Sequence, residues 1–174
     1  MLISEAYRKE QVLMHTLKAY GKSGGKWWQQ VCELIDKHEC RTWLDYGCGT
    51  GKLAANVRKT GLSVLIEEYD PGVVGKDVPI SASFDLVTCL DVLEHIEPEC
   101  LDDVLADLWR LTGKIAFVVV ATRPAGKELP DGRNAHLIVQ PWEWWLAKLR
   151  EHFEAIDEWK DADEGRAILG PKND

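Results

Sequence analysis

The sequence predicts an α/β domain organised around a largely parallel sheet, and three observations carry that prediction. Residues 42–46, Thr-Trp-Leu-Asp-Tyr, form a strand-like run that ends in a glycine-rich turn and passes into a helix-like segment. Residues 114–121 contain the run Ile-Ala-Phe-Val-Val-Val-Ala, without the alternation of a half-exposed strand, so both faces of that strand are expected to be covered. After a helical preface, strand-like and helix-like segments alternate, the order that yields parallel strands joined by crossover helices. The chain has 174 residues, the length of one domain and enough to bury a core.

Each element has its own signal. Ser4 is a helix cap, and Tyr7, Leu13, Met14 and Leu17 recur on one side of a helix reaching Tyr20. The run Gly21-Lys22-Ser23-Gly24-Gly25 breaks it, and Trp27, Trp28, Val31, Leu34 and Ile35 define a second helix. After the strand at 42–46, a short helix covers about 52–59 and stops near Gly61. Residues 63–69 read as a second strand and 71–83 as a loop with two prolines and two glycines. Phe84 to Leu90 reads as a buried strand, and Pro98 opens a helix whose inner stripe is Leu101, Val104, Leu105, Leu108 and Leu111. A polar loop, 124–134, follows the apolar strand, and residues 136–139 read as a short extended piece. Pro141 opens a helix that uses Trp142, Trp145, Leu146 and Leu149. Residues 153–159 and 166–169 would be two closing strands.

Composition narrows the class. No apolar run approaches the roughly 20 residues that a membrane span needs, and the polar N-terminus with its early Glu5 does not read as a secretory signal, so a cytoplasmic protein is expected. A formal net charge of −8, with charges interspersed and no basic run, does not point to a binder of nucleic-acid backbone. The five cysteines, Cys32, Cys40, Cys48, Cys89 and Cys100, contain no C-x-x-C pair, so reduced thiols are expected rather than disulfides or a zinc knuckle.

The sharpest motif is Leu44-Asp45-Tyr46-Gly47-Cys48-Gly49-Thr50-Gly51, where strand runs into helix. Glycines let the backbone turn tightly and approach a ligand, and the helix end behind them offers free N–H groups and partial positive charge. A dinucleotide loop wants a third glycine where this chain has Lys52. A Walker A loop ending at Gly21-Lys22-Ser23 would need a glycine where Thr16 stands. The pattern Asp45-x-Gly47-x-Gly49-x-Gly51 instead resembles motif I of the class I S-adenosylmethionine (SAM)-dependent methyltransferases. The resemblance is good over about residues 42–122 and looser beyond.

That resemblance implies a Rossmann-like class I methyltransferase sheet flanked by helices, in a single domain spanning 1–174. Residues 1–40 would be an N-terminal helical lid and 41–174 the Rossmann-like core. It implies SAM as cofactor: Asp45, Gly47, Gly49 and Gly51 would wrap its methionine part, and Asp70, ahead of Glu68, would accept hydrogen bonds from the ribose hydroxyls. The segment Phe84 to Ile96, with Asp91-Val92-Leu93-Glu94-His95, resembles the family segment that passes the adenine and sulfonium, so Leu90 and Asp91 would line the site. Tyr20, Lys26 and Trp27 are the lid candidates over SAM. One departure stands out: the helix and third strand usual between the ribose acid and this segment are reduced to residues 71–83. The region between the second and fourth family strands is therefore shortened, and Asp77 is the one candidate for the adenine-binding acid.

Methyl transfer needs an aligned nucleophile and a destination for its proton. A helical turn at Asp91-x-x-Glu94-His95 would gather those groups, and His136 belongs to a loop at the same sheet edge, where ligands bind in such folds. Asp91, Glu94, His95 and His136 could together hold a divalent metal. The arrangement resembles the metal sites of small-RNA 2′-O-methyltransferases and of ubiquinone-pathway O-methyltransferases. Without a metal, His95 and His136 remain candidate general bases. Arg123 and Arg133, in the polar loop, are candidates for clamping an acidic group of the substrate. His15, His38 and His152 read as surface residues, and Trp109, Trp142 and Trp145 as core. The expected activity is methylation of an oxygen on a small molecule, sugar or nucleotide-linked compound. A non-catalytic SAM-binding domain and an RNA methyltransferase are the alternatives. The sequence assigns no oligomeric state.

Overall fold

A computed structural model of the chain describes residues 1–16 and 23–172. The elements run α1 (Glu5–Thr16), α2 (Trp28–Lys37), β1 (Thr42–Tyr46), α3 (Lys52–Arg58), β2 (Leu65–Tyr69), β3 (Phe84–Leu90), α4 (Leu101–Leu111), β4 (Thr112–Ala121), α5 (Trp142–Leu149), β5 (Phe153–Lys160) and β6 (Glu164–Pro171). Short 3-10 turns occupy Ser23–Trp27, Leu93–His95 and Pro98–Cys100. The bounds of β1 and β3 are those read from the sequence. Residues 136–139, expected to be extended, form no strand.

Six strands make one sheet in the order β2-β1-β3-β4-β6-β5. The pairs β1–β2, β1–β3 and β3–β4 are parallel, while β6 runs antiparallel to both β4 and β5. The chain leaves β1 toward one edge and returns to its other side for β3, so strand order reverses between β1 and β3. A crevice opens above the carboxyl ends at such a reversal, and ligands bind there. No strand forms between Tyr69 and Phe84, which leaves β2 as an open edge.

Each sheet face has its own apolar layer. One joins Leu44, Val87, Ala116 and Val118 to the inner stripes of α4 and α5; the other joins Trp43, Leu86, Phe117 and Val119 to Val31, Leu34 and Ile35 of α2 and Leu53 and Val57 of α3. Burying one such leucine or valine stabilises the fold by about 1.5–3 kcal/mol. This two-faced cover is why β4 needs no alternation. A polar chain runs through this layer: the Trp43 indole donates to Thr88 Oγ1 at 3.0 Å, and that hydroxyl donates to Asp45 Oδ1 at 3.0 Å. All five cysteines are unpaired thiols.

α2 is thus part of the core, whereas α1 lines the crevice with Tyr7, Gln11 and His15. The segment 71–83 does its bracing with single contacts. Lys76 reaches Glu68 at 2.8 Å, Asp77 lies 3.6 Å from Arg8, and Arg110 donates to the Ile80 carbonyl at 2.7 Å. Among the described residues no helix is long and apolar enough to cross a membrane.

Gly165 of β6 leaves room for the Trp142 ring, since a Cβ there would stand 2.0 Å from Cε3. Gly165→Ala is therefore expected to destabilise the fold by about 2–3 kcal/mol, read as a lower urea midpoint. Gly126→Ala, whose Cβ meets nothing within 4 Å, should unfold like the parent.

Candidate active site

The crevice at the strand-order reversal is a cleft of about 480 Å³, within the range of small-molecule sites. Three groups of residues wall it: Tyr46, Gly47, Gly49 and the Asp70-Pro71-Gly72 turn; Asp91 to Ile96 with His136; and the α1 face.

The glycine turn and the end of β2 are fastened together. Gly47 and Cys48 N–H groups donate to the Tyr69 carbonyl at 2.7 and 3.1 Å. Asp70 Oδ2 accepts from Gly49 N–H at 2.9 Å, and its Oδ1 from Gly72 N–H at 2.8 Å. Gly47 has φ +72°, and a Cβ there would stand 2.4 Å from Val92, so this position requires glycine.

The second wall carries the titrating groups. The 3-10 turn Leu93–His95 begins three residues after the end of β3, with Val92 as its cap, and Asp91 between strand and cap has φ 57°. Glu94 is fully buried; its Oε1 accepts from Ala121 N–H at 3.0 Å, and its Oε2 has no hydrogen-bond partner among the described residues. Burial, with Asp91's charge adding to it, pushes the Glu94 carboxyl up to about 8. His95 Nδ1 donates to the Ala135 carbonyl at 2.7 Å and His136 Nδ1 to the Arg123 carbonyl at 2.6 Å. A carbonyl only accepts, so these bonds fix the proton on Nδ1 and leave the lone pair of the neutral ring on Nε2. Burial, helped by the neighbouring His136, lowers His95 to about 4, and burial also lowers His136 despite its bond to the Arg123 carbonyl. Both rings are neutral at ordinary pH. They meet edge to face with centroids 4.7 Å apart, and one ligand atom from each of Glu94, His95 and His136 lies within 4.8 Å of the other two.

The loop that carries His136 is held by Asn134. Its side chain exchanges two 2.9 Å hydrogen bonds with the Ala125 backbone and accepts from His136 N–H at 3.0 Å. Ile138 N–H donates to the Glu94 carbonyl at 3.0 Å, so loop and turn form one piece. α1 closes the third side. Ser4 donates through its hydroxyl and backbone N–H to Glu97, at 2.7 and 2.8 Å, and Tyr7 Oη donates to the His95 carbonyl at 2.7 Å.

Several expected residues sit elsewhere. Asp91 lines the cleft but stands outside the three-residue cluster. Leu90 is buried in the core layer of α2 and α3 instead of lining the cleft. Asp45 lies beneath the glycine turn, one oxygen held by Thr88, with burial raising its carboxyl to about 7. Gly51 faces the Glu68–Lys76 pair, where a Cβ would stand 2.3 Å from Glu68 Oε1. Glu68 itself is bound by Arg58 and Lys76, and Asp77 turns to Arg8, so neither acid reaches the cleft. Trp27 packs on Phe117 with Arg166 over its ring, away from the cleft, whereas Lys26 lines it. Tyr20 lies outside the described residues. Arg123 lines the cleft, but Arg133 does not: it pairs with Asp131 at 2.5 Å and Glu10 at 3.4 Å and lies over the Tyr7 ring, bracing the loop against α1. His15, read as a surface residue, lines the cleft with Nε2 3.9 Å from Asp70 Oδ2. Asn134 carried a signal, an Asx-type residue two positions before His136. Gln11 and His15 carried none, because only the docking of α1 defines their face.

The sequence matches the methyltransferase domain family over residues 8–160, so the chain belongs to that family. The fold is similar to 1,6-didemethyltoxoflavin-N1-methyltransferase of Burkholderia thailandensis, solved with S-adenosylhomocysteine (TM-score 0.64, 14% identity, 87% of this chain and 80% of that one). It is similar to magnesium protoporphyrin IX methyltransferase of Synechocystis PCC 6803, also with bound SAH (TM-score 0.61, 16% identity, 87% and 85%). A third similar fold is the methyltransferase domain of bacterial CtHen1-C (TM-score 0.60, 16% identity, 86% and 98%). No curated protein matches the sequence.

The raised Glu94 carboxyl has a measurable consequence for chelator-treated protein. The folded state holds this proton more tightly than the unfolded chain, whose carboxyl titrates near 4.5. The resulting stabilisation is complete below that pH and is lost as pH rises toward 8. Glu94→Gln should therefore gain melting temperature over the parent between pH 5 and 8, with the difference level above that window.

Proposed function

We propose that the protein transfers the methyl group of SAM to a hydroxyl oxygen of a small-molecule acceptor with neighbouring hydroxyls, a vicinal diol or catechol, using a divalent cation held by Glu94, His95 and His136. The observation that carries this reading is the gathering of those three side chains within 4.8 Å on one wall of the cleft whose other wall is the glycine turn and Asp70.

The residues present fit both groups. Each Asp70 oxygen already holds one backbone N–H and keeps a lone pair for a ribose hydroxyl. Gly47 and Gly49 bring bare backbone to the cleft for the methionine end, while Asp45 supports the turn from below. Glu94 Oε2 is an orphaned buried oxygen, and a histidine ligand whose Nδ1–H is tied to a carbonyl is the usual arrangement at a metal. The bound cofactor supplies an electrophilic methyl on a sulfonium, and the cation would lower the pKa of an acceptor hydroxyl near it.

The chain's own residues do the rest. The Asn134 clasp and the Glu94–Ile138 bond set the direction of the imidazoles, and α1 shields the cleft from water. Lys26 and Arg123 at the rim are each matched by a carboxylate, Glu164 at 2.9 Å and Asp163 at 3.7 Å. With the net charge of −8, this favours a compact neutral acceptor over a nucleic-acid chain.

SAH should raise the melting temperature of the protein, and Asp70→Ala should abolish the rise. Calorimetric titration with Mn²⁺ should give a single site whose affinity falls at least about tenfold in His136→Ala, a loss typical of a disturbed metal centre. Absence of heat with both SAM and SAH in folded protein would overturn the cofactor assignment. Methyl transfer to catechols that survives unchanged in chelator would overturn the cation's part.

A further inference from the structure

One side of α1 runs along the cleft from one wall to the other. Tyr7, Gln11 and His15 follow each other at single-turn spacing and all line the cleft. Tyr7 is bonded to the His95 carbonyl, and His15 stands beside Asp70. Gln11 lies between them. It is only 8% exposed, yet its Nε2 has no hydrogen-bond partner among the described residues. Its side chain packs on the turn that carries Asp70: a Cβ added to Gly72 would stand 2.7 Å from Gln11 Cβ. A buried amide donor left without an acceptor costs stability, and one that lines a cleft is placed to be satisfied by a ligand there.

We infer that Gln11 is a binding residue for the nucleoside half of the cofactor, its Nε2 donating to an acceptor atom of the ribose or adenine beside Asp70. This rests on the SAM assignment above and extends it to a residue on the covering helix. The two side chains are chemically complementary. Asp70 only accepts, so it takes the protons of the ribose hydroxyls; the hydroxyl oxygens and the ring nitrogens then need a donor, which Gln11 supplies. The shortened segment 71–83 brings Pro71 and Gly72 to this place, and its one acid, Asp77, is turned to Arg8. The polar contact on this side therefore comes from α1.

The test is calorimetric binding of SAH to the parent protein, Gln11→Met and Gln11→Glu, together with the melting temperature of each without ligand. Gln11→Met keeps the side chain's length and removes the donor. It is expected to weaken SAH binding about tenfold, equivalent to about 1.4 kcal/mol, while the unliganded protein melts at the same temperature or higher. Gln11→Glu retains only acceptors and should bind at least as weakly, which provides a second reading should the methionine variant fold poorly. Parent-like SAH affinity in either folded variant overturns the inference and leaves the cofactor assignment standing. No binding to the parent protein overturns both. A fall in melting temperature with unchanged SAH affinity would show a merely structural glutamine and also overturn it.

Discussion

The Asp70 carboxylate is the interaction on which the arrangement of this protein turns. It takes one backbone N–H from the loop after β1 and one from the turn after β2, so two loops that follow different strands are held as one surface. Charge-assisted bonds of this kind are stronger than neutral ones, and here they are buried. The glycine turn is held open at the reversal of strand order by that tie, and by the Tyr69 carbonyl beside it. Glu94 ties the opposing wall together: its side-chain carboxyl accepts from the end of β4 and its backbone carbonyl from the loop that leads to α5.

Much of this was legible in the residue order. β1, β3 and the apolar β4 are local patterns, set by side-chain types over five to ten residues and by a glycine-rich turn, and the structure reproduces them. The pairing of Glu94, His95 and His136 was legible too, because strand alternation places both segments at one sheet edge. What the sequence did not show depended on long-range docking. Arg133 looks like a free cation in a polar loop until Glu10 and Tyr7 arrive from α1. Leu90 looks like a site residue until the last turn of β3 places it on the α2 side. Gln11 and His15 have no periodic signature at all, since a polar face on an amphipathic helix reads as solvent-facing until something covers it.

The short segment between β2 and β3 also shows how little is needed to replace an absent strand and helix. Scattered contacts hold it, among them those from Lys76 to the end of β2, from Asp77 to α1 and from Ile80 to α4. None of them is a ladder bond, so the β2 edge stays open, with Leu65 exposed and Glu67 beside it. A charged residue in a short edge strand is a recognised way of discouraging sheet-to-sheet association.

The fastening of α1 has a consequence for the rhythm of turnover. The helix is tied down by contacts that involve no strand pairing: Ser4 to Glu97, Tyr7 to the His95 carbonyl, Arg8 to Asp77, Glu10 to Arg133. Were it to rise, no strand pairing would be disturbed, and the Tyr7 bond to the His95 carbonyl would be lost with the cover over the cleft. Spent cofactor would then depart past the helix, and the pace of the cycle would depend on how often those polar latches and the packing of Tyr7 against Leu129 and Ala135 release together.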